Sequence, residues 1–470
     1  MESEKYCNAQ AESMLLYKNR SKQRRDEDHH VLIIHTGGTI GMVYNDKGLL
    51  NTSKEVLKKR VLTLEALNSS KDFDNPTFKS KYGSFTYYFH DLNPLIDSSD
   101  MNHNYYTKLI GYIANNYEKY SSFVILHGTD TMAYTTPMIS LFIENLSKPI
   151  FITGSAYSIF EVSQRSDAYE NLLSTFNYVC NIKKPGVYLS FSGKLFSSKS
   201  VKKFSCVITD MFFYRTCLCE SPDNIPKLLT SEYEKSLPVH FITPERIKLA
   251  SLYITPLDHI NVFERVTLRS DEILLIHGYG NGNIPVCNRI LDLIRRHSEV
   301  GGISIVISQC PDSYVKPLYS SWEQLLNLGV ISSGNMTIEL LASKLSYLKA
   351  KKVPDSLLEL LIFISFDRSD YYDLDQKEFC KILMKILEKS GHMDSFFNSY
   401  DSVESDQETL EQINAEDLKM ISKNPIMYYK VFKRNQKNMC LEQIFSIDSL
   451  IIRSMFLCFE ILLINKFVSF

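Results

Sequence analysis

Apolar residues gather into short runs that end in glycine-bearing turns, and helically spaced stretches lie between those runs. Val31-Leu32-Ile33-Ile34 runs straight into His35-Thr36-Gly37-Gly38-Thr39-Ile40-Gly41-Met42. A short continuous apolar run closed by glycines predicts a strand buried on both faces. Phe123-Val124-Ile125-Leu126 repeats the design and ends in His127-Gly128-Thr129-Asp130-Thr131, and Ile150-Phe151-Ile152 does so again before Thr153-Gly154-Ser155. Residues 53–67 carry Leu57, Val61 and Leu64 at helical spacing, and 105–117, 132–145 and 165–175 also read as helices. Residues 68–81 read as a loop, 85–90 as an aromatic-rich strand, 97–102 as a helix start rich in Ser and Asp, and 187–191 as a further strand. Strands alternating with helices predict a mostly parallel sheet covered on both faces.

The pattern fades over 216–247, where Pro222, Pro226, Pro238 and Pro244 are spaced through the chain, and this reads as an interdomain linker. A smaller α/β unit follows, with strands at 250–254, 273–277 and 303–308 and helices at 288–299 and 336–350. The chain therefore divides into a polar extension (1–30), a larger amino-terminal domain (31–215), the linker (216–247), a smaller carboxyl-terminal domain (248–369) and a mostly helical or partly disordered tail (370–470). Within the tail, 379–387 has helical spacing, 402–416 is acidic, and the apolar stretch 451–470 is interrupted by Arg453, Glu460 and Lys466. Central charges are costly in hydrocarbon, so a docked helix is favoured there over a membrane anchor.

Composition changes the picture only at the margins. A chain of 470 residues exceeds what one core usually holds, which calls for at least two domains. A formal net charge of -2 with 44% hydrophobic residues gives no electrostatic reason to expect nucleic acid, so a small neutral or mildly charged substrate fits better. The first thirty residues lack an apolar run of signal-peptide length, which points to a cytoplasmic protein. Ten scattered cysteines then read as reduced thiols, and the close pair Cys217 and Cys219 is a weak metal signal without nearby ligands. The pair His29 and His30 offers no more than the adventitious metal binding open to any His pair.

The glycine turn after the first strand fits neither common nucleotide motif. Gly41 is followed by Met42 and Val43, where a P-loop needs Lys and a hydroxyl residue, and the glycine spacing departs from Gly-x-Gly-x-x-Gly. A threonine hydroxyl at a strand's carboxyl end suits acyl transfer only beside a base or relay. Thr129 and Asp130 end the second strand, and Lys203 or its neighbour Lys202 can complete a Thr-Asp-Lys relay. Taken alone, Thr129 and Asp130 read first as caps of the next helix, a role that Thr and Asp fill routinely.

Taken together, these stretches resemble the L-asparaginase family, in particular its cytosolic bacterial type I branch. His35 to Met42 is similar to the family's first threonine signature, and His127-Gly128-Thr129-Asp130-Thr131-Met132-Ala133-Tyr134-Thr135 to its second. Leu95-Ile96-Asp97-Ser98-Ser99-Asp100-Met101 resembles the segment that holds the substrate's amino-acid end, and further likeness runs through Arg165-Ser166-Asp167, Tyr279 to Asn283 and Gly334 to Glu339. The resemblance covers about 31–350. It implies a Rossmann-like amino-terminal domain, a smaller α/β domain, a homodimer or homotetramer, and no cofactor. It also implies hydrolysis of L-asparagine to L-aspartate and ammonia through an acyl-enzyme, with Thr39 as nucleophile and Thr129, Asp130 and Lys203 as relay. Ser98, Ser99 and Asp130 would hold the substrate's α-carboxylate and α-amino group.

The chain also departs from the family pattern. Leu49 stands where the family carries a mobile tyrosine, with Tyr44 nearby as a substitute hydroxyl. Ala156 replaces a glutamine, Ser197-Ser198-Lys199-Ser200 replaces an Arg-x-Asn-Arg run, and His277 replaces an arginine of the type I effector site. His277 argues against allosteric control through that site, while Leu49, Ala156 and the altered run before Lys203 leave open an alternative, a catalytically impaired protein of the same fold that binds asparagine or aspartate in a regulatory role. A third reading places the function in the tail.

Overall fold

The computed structural model describes residues 29–161, 166–198, 201–206, 211–214, 217–230, 238–256, 267–285, 287–315, 319–353 and 362. The extension up to residue 28, Arg165 and the tail from 370 onward lie outside the described residues. The chain divides into two compact units between Pro244 and Glu245.

In the first unit, β1 (His30–Gly37) leads through one 3-10 turn at Thr39–Gly41 into a hairpin of β2 (Met42–Tyr44) and β3 (Leu50–Thr52). Helix α1 (Val56–Thr63), β4 (Thr77–Ser80), the long β5 (Gly83–Ile96) and α2 (His103–Asn116) follow. Next come β6 (Ser122–Leu126), α3 (Met132–Phe142), the short β7 (Ile143–Glu144), β8 (Pro149–Thr153) and α4 (Ala168–Asn181). The unit ends with β9 (Gly186–Phe191), β10 (Lys194–Ser197), β11 (Val201–Lys203), β12 (Phe212–Tyr214), β13 (Cys217–Cys219), the one-turn α5 (Lys227–Thr230) and β14 (His240–Phe241).

Eight of these strands form one sheet in the order β13-β10-β9-β8-β6-β1-β5-β4. The five from β9 to β5 are parallel, and the flanking pairs β13/β10, β10/β9 and β5/β4 are antiparallel. Parallel neighbours need crossovers, and the crossover helices cover both faces. The period of two then sorts each strand between two cores. Val31 and Ile33 join Val124, Leu126 and Phe151 in a core closed by Leu57 and Val61 of α1 and Leu172 and Phe176 of α4. Leu32 and Ile34 join Phe123, Ile125, Ile150 and Ile152 against Tyr105 and Leu109 of α2 and Met132 and Ile139 of α3. This is why the runs are continuously apolar.

The differences from the sequence expectation have local causes. The helix expected over 53–67 is confined to Val56–Thr63 because Glu55 takes a left-handed φ of 59° and its amide is bound by Asp91 Oδ2 at 2.6 Å. The loop expected over 68–81 contains β4, whose pairing with β5 no local signal announces. The helix starting at Met132 stops at Phe142, where Ile143 and Glu144 pair with β14. The stretch 216–247 begins with a sheet strand, Cys217–Cys219, paired with Leu195 and Phe196. Among the described residues no group of three or more His, Cys, Asp or Glu side chains is placed to hold a metal.

The second unit is a four-stranded parallel sheet in the order β15 (Leu249–Tyr253), β16 (Ile273–Gly278), β17 (Ile303–Ser308) and β18 (Ile331–Ser332), with α6 (Asn288–Glu299), α7 (Ser321–Asn327) and α8 (Ile338–Ala350). Ile290, Leu293 and Ile294 of α6 pack with Leu274, Ile276, Val306 and the buried Trp322. The fold is thus mixed α/β, a large parallel-rich sheet followed by a smaller α/β unit. Among the described residues no helix is long and apolar enough to cross a membrane.

Candidate active site

Strand register brings the signature turns to one edge. His35 pairs with Leu126, and Leu126 with Thr153, so β1, β6 and β8 end level and their turns leave the sheet side by side. Open parallel sheets bind ligands outside such carboxyl ends. The turns touch through glycine. Gly38, at φ +81°, lies so close to the next turn that a Cβ there would sit 2.3 Å from the Gly128 amide nitrogen. A Cβ on Gly128 would in turn lie 2.5 Å from Ser98 Oγ. Only glycine allows this approach.

The two threonines of the first turn differ in their surroundings. Thr36 is buried and its hydroxyl donates to the Leu126 carbonyl at 2.9 Å, tying β1 to β6. Thr39 opens the 3-10 turn, is half-buried, and its hydroxyl makes no hydrogen bond to another described residue.

Across the crevice edge, Lys203 Nζ donates to Thr129 Oγ1 at 2.8 Å and to Asp130 Oδ1 at 2.7 Å. Its side chain is only 13% exposed, whereas Asp130 is 59% exposed. Lys203 is carried by β11, whose pairing of Lys203 with Phe212 fixes which of the adjacent lysines points to the turn. Thr129 does not cap α3 through its side chain: the N-cap position is Thr131, whose hydroxyl donates to the Ser98 carbonyl at 2.7 Å. Ser98 is buried, while the exposed Ser99 donates its hydroxyl to Asp97 Oδ1 at 2.9 Å.

The residues at the departures are also placed. Leu49, on the hairpin that follows Thr39, is 63% exposed. Tyr44 on the same hairpin donates its hydroxyl to Glu161 Oε2 at 2.8 Å, and this contact, with burial and the carboxylate's charge, holds the phenol above its ordinary pKa. The loop carrying Glu161 also grips the Thr39 turn, through the Ile159 amide on the Ile40 carbonyl at 3.1 Å and Ser158 Oγ on the Met42 carbonyl at 2.5 Å. The Ala156 amide is held by Asp167 Oδ2 at 2.9 Å. Ser198 Oγ donates to Ser140 Oγ at 3.1 Å, while Lys199 and Ser200 lie outside the described residues. In the second unit His277 stacks on Tyr253, ring centroids 5.3 Å apart.

Sequence reasoning missed the residues that brace these turns. His35 Nδ1 meets Asp91 Oδ1 at 2.8 Å, and the other Asp91 oxygen holds the Glu55 amide. Burial opposes the Asp91 charge, yet the His35 and Glu55 contacts outweigh it and keep the carboxyl below its usual range. Tyr105 of α2 reaches the Thr36, Leu92 and Pro94 carbonyls at 3.1, 3.3 and 3.0 Å. His127 is fully buried, its Nδ1 2.7 Å from the Gly128 carbonyl and its Nε2 2.9 Å from Thr135 Oγ1. Burial pushes its pKa down to about 4, against the weaker opposing pull of the Gly128 carbonyl. His35 and Asp91 are register partners, a relation visible only once β1 and β5 are paired.

Comparison with known proteins matches residues 30–219 to the family model for the asparaginase N-terminal domain and 248–358 to that for the glutaminase/asparaginase C-terminal domain. L-asparaginase 1 of Escherichia coli strain K12 is 31% identical over 329 residues, covering 69% of this chain and 92% of the relative. The human 60 kDa lysophospholipase is 28% identical over 334 residues, covering 68% of this chain and 57% of that protein. The crystal structure of L-asparaginase I from Vibrio cholerae aligns with a TM-score of 0.59 at 27% identity, covering 70% of this chain and 94% of the other. Two matched domains in sequence, with the bacterial relative aligned over nearly its whole length, place this chain in the asparaginase family.

Proposed function

We propose that the chain is an L-asparaginase that converts L-asparagine to L-aspartate and ammonia. The observation that carries this reading is the Lys203 contact with both Thr129 and Asp130, at the sheet edge where the Thr39 turn packs against Gly128. In this proposal Thr39 Oγ attacks the side-chain amide carbon, its proton passes to Thr129 Oγ1, and Thr129 gives its own proton to the amide nitrogen, which departs as ammonia as the carbon–nitrogen bond breaks. Lys203 as an ammonium donates to the Thr129 oxygen, which orients the Thr129 proton away from the lysine and towards the crevice. Water then hydrolyses the ester on Thr39 and releases aspartate. Glycine-turn amides offer donors to the oxyanion of each tetrahedral intermediate, a contribution of roughly 3 to 4 kcal/mol per donor in well-studied hydrolases. Ser98, Ser99 and the second oxygen of Asp130 are the groups for the α-carboxylate and α-amino ends. The same reading takes the two matched segments as two domains of a cytoplasmic homo-oligomer that works without cofactor.

A catalytically impaired asparagine or aspartate binder is the second reading, favoured by the exposed Leu49, which brings no hydroxyl to the hairpin. Ammonia release from asparagine and glutamine, measured side by side, separates the two. Turnover of asparagine that disappears in Thr39→Ala supports the first reading, and calorimetric binding without product supports the second.

A further inference from the structure

His127 sits one residue before the Gly128 contact and two before Thr129, yet none of the steps above uses it. Its ring is buried, and its low pKa keeps it neutral at ordinary pH, with a single proton. The two ring nitrogens face partners of different kinds. Nδ1 lies 2.7 Å from a carbonyl, which can only accept, so the proton belongs on Nδ1. Nε2 is then a bare acceptor, and Thr135 Oγ1 at 2.9 Å is the hydroxyl that donates to it. The other acceptors within reach of that hydroxyl, the Thr131 carbonyl at 3.2 Å and Tyr106 Oη at 3.4 Å, are farther away. The Thr131 carbonyl already receives the Tyr134 and Thr135 amides.

We propose that His127 is a positioning residue, locked as its Nδ1–H tautomer by Thr135 so that it fixes the carbonyl of Gly128, the residue against whose amide nitrogen and Cα Gly38 and Ser98 pack. The consequence for the site is mechanical. The Gly128 carbonyl can rotate only by breaking a buried hydrogen bond, and rotation of that peptide would turn Thr129 away from Lys203, while Gly38 packs on the other side of the same residue, against the Gly128 amide nitrogen. Thr135, a turn into α3, thereby acts on the relay through the imidazole without touching it. Buried chains of this kind hold catalytic groups to the tolerance their chemistry needs, since a misplacement of about 1 Å can cost 100-fold in rate.

The activity part of this inference rests on the asparaginase reading, whereas the tautomer does not. The experiment uses the full-length protein, Thr135→Val and Thr135→Ser. Neutron diffraction of the wild type in deuterated buffer is expected to show deuterium on His127 Nδ1 and none on Nε2. Thr135→Val, similar in volume but without the donor, is expected to lower kcat for asparagine at least about tenfold with KM within about threefold, and Thr135→Ser to restore kcat to within about threefold of wild type. Deuterium on Nε2, a Thr135→Val enzyme with wild-type kcat, or a Thr135→Ser enzyme as slow as Thr135→Val would each overturn the proposal. A wild type that turns over no asparagine defeats the functional reading alone, and the neutron density then decides the tautomer.

Discussion

Lys203 and Thr129 are separated by 74 residues and meet at 2.8 Å, one on a short hairpin strand and the other on a turn at the sheet edge. The adjacent Lys202 pairs with Phe213 on the same hairpin and makes neither contact. Side chains alternate along a strand, so a shift of one residue would present the other lysine. Lys203→Met is therefore expected to lower ammonia release from asparagine at least about 100-fold, the scale of a proton transfer that has lost its orienting partner, and Lys202→Met to stay within about threefold of wild type. Equal losses in both would remove the relay assignment.

The hairpin after Thr39 is tied down by the phenol of Tyr44 on Glu161. Tyr44 is 56% exposed, so this contact orders the hairpin more than it stabilises the fold. Tyr44→Phe is expected to be cut faster by limited proteolysis within residues 45–50 while its urea midpoint stays unchanged. A variant with wild-type cleavage rates would show that the hairpin is held by its backbone alone.

His127 makes stability depend on pH in a defined direction. Its folded pKa of about 4 lies below the ordinary value of 6.5, so between these limits the unfolded chain binds the extra proton. The contribution is complete above pH 6.5, is lost as pH falls towards 4, and reaches at most about 3 kcal/mol. His29, depressed to about 4 by burial and then by the charges of Lys183 and His30, adds in the same sense. Urea midpoints of wild type and His127→Asn should therefore converge as pH drops from 7 to 4.5. Parallel pH curves for the two proteins would contradict the buried neutral ring.

Phe176 stands at the centre of an aromatic cluster, with ring centroids of Phe78, Phe85 and Tyr87 at 5.2, 5.3 and 5.4 Å. It belongs to α4 and is fully buried. Phe176→Ala is expected to cost about 3 to 5 kcal/mol, measured by urea unfolding, because the surrounding strands cannot collapse into the void. A loss below about 1 kcal/mol would mean that α4 is not fixed on this face.

The central strands are legible in the sequence because they are buried on both faces. Val31 to Ile34 and Phe123 to Leu126 are continuously apolar, and the turns that follow them announce themselves with glycine. Short elements at the margins are different. β4 and β13 exist through their neighbours, and the left-handed Glu55 that starts α1 is set by a carboxylate 36 residues away. The sequence left Lys202 and Lys203 almost equivalent, since only strand pairing decides between them. Taken alone, Thr129 and Asp130 read first as a helix cap, and the position of Thr131 at the start of α3 releases both for Lys203. The bracing roles of Asp91, Tyr105 and His127 had no sequence signal of their own, because each depends on a partner supplied by another strand or by a helix packed on the sheet.

The close approach of Gly38 to Gly128 has a further consequence for redesign. Two turns that leave no room for a methyl group between them behave as one mechanical part, so neither can be reshaped without dislodging the other. On the asparaginase reading proposed above, an altered substrate range would have to come from the hairpin carrying Tyr44 and Leu49 and the segment carrying Ser98 and Ser99. Those are the positions at which a library of variants should be built.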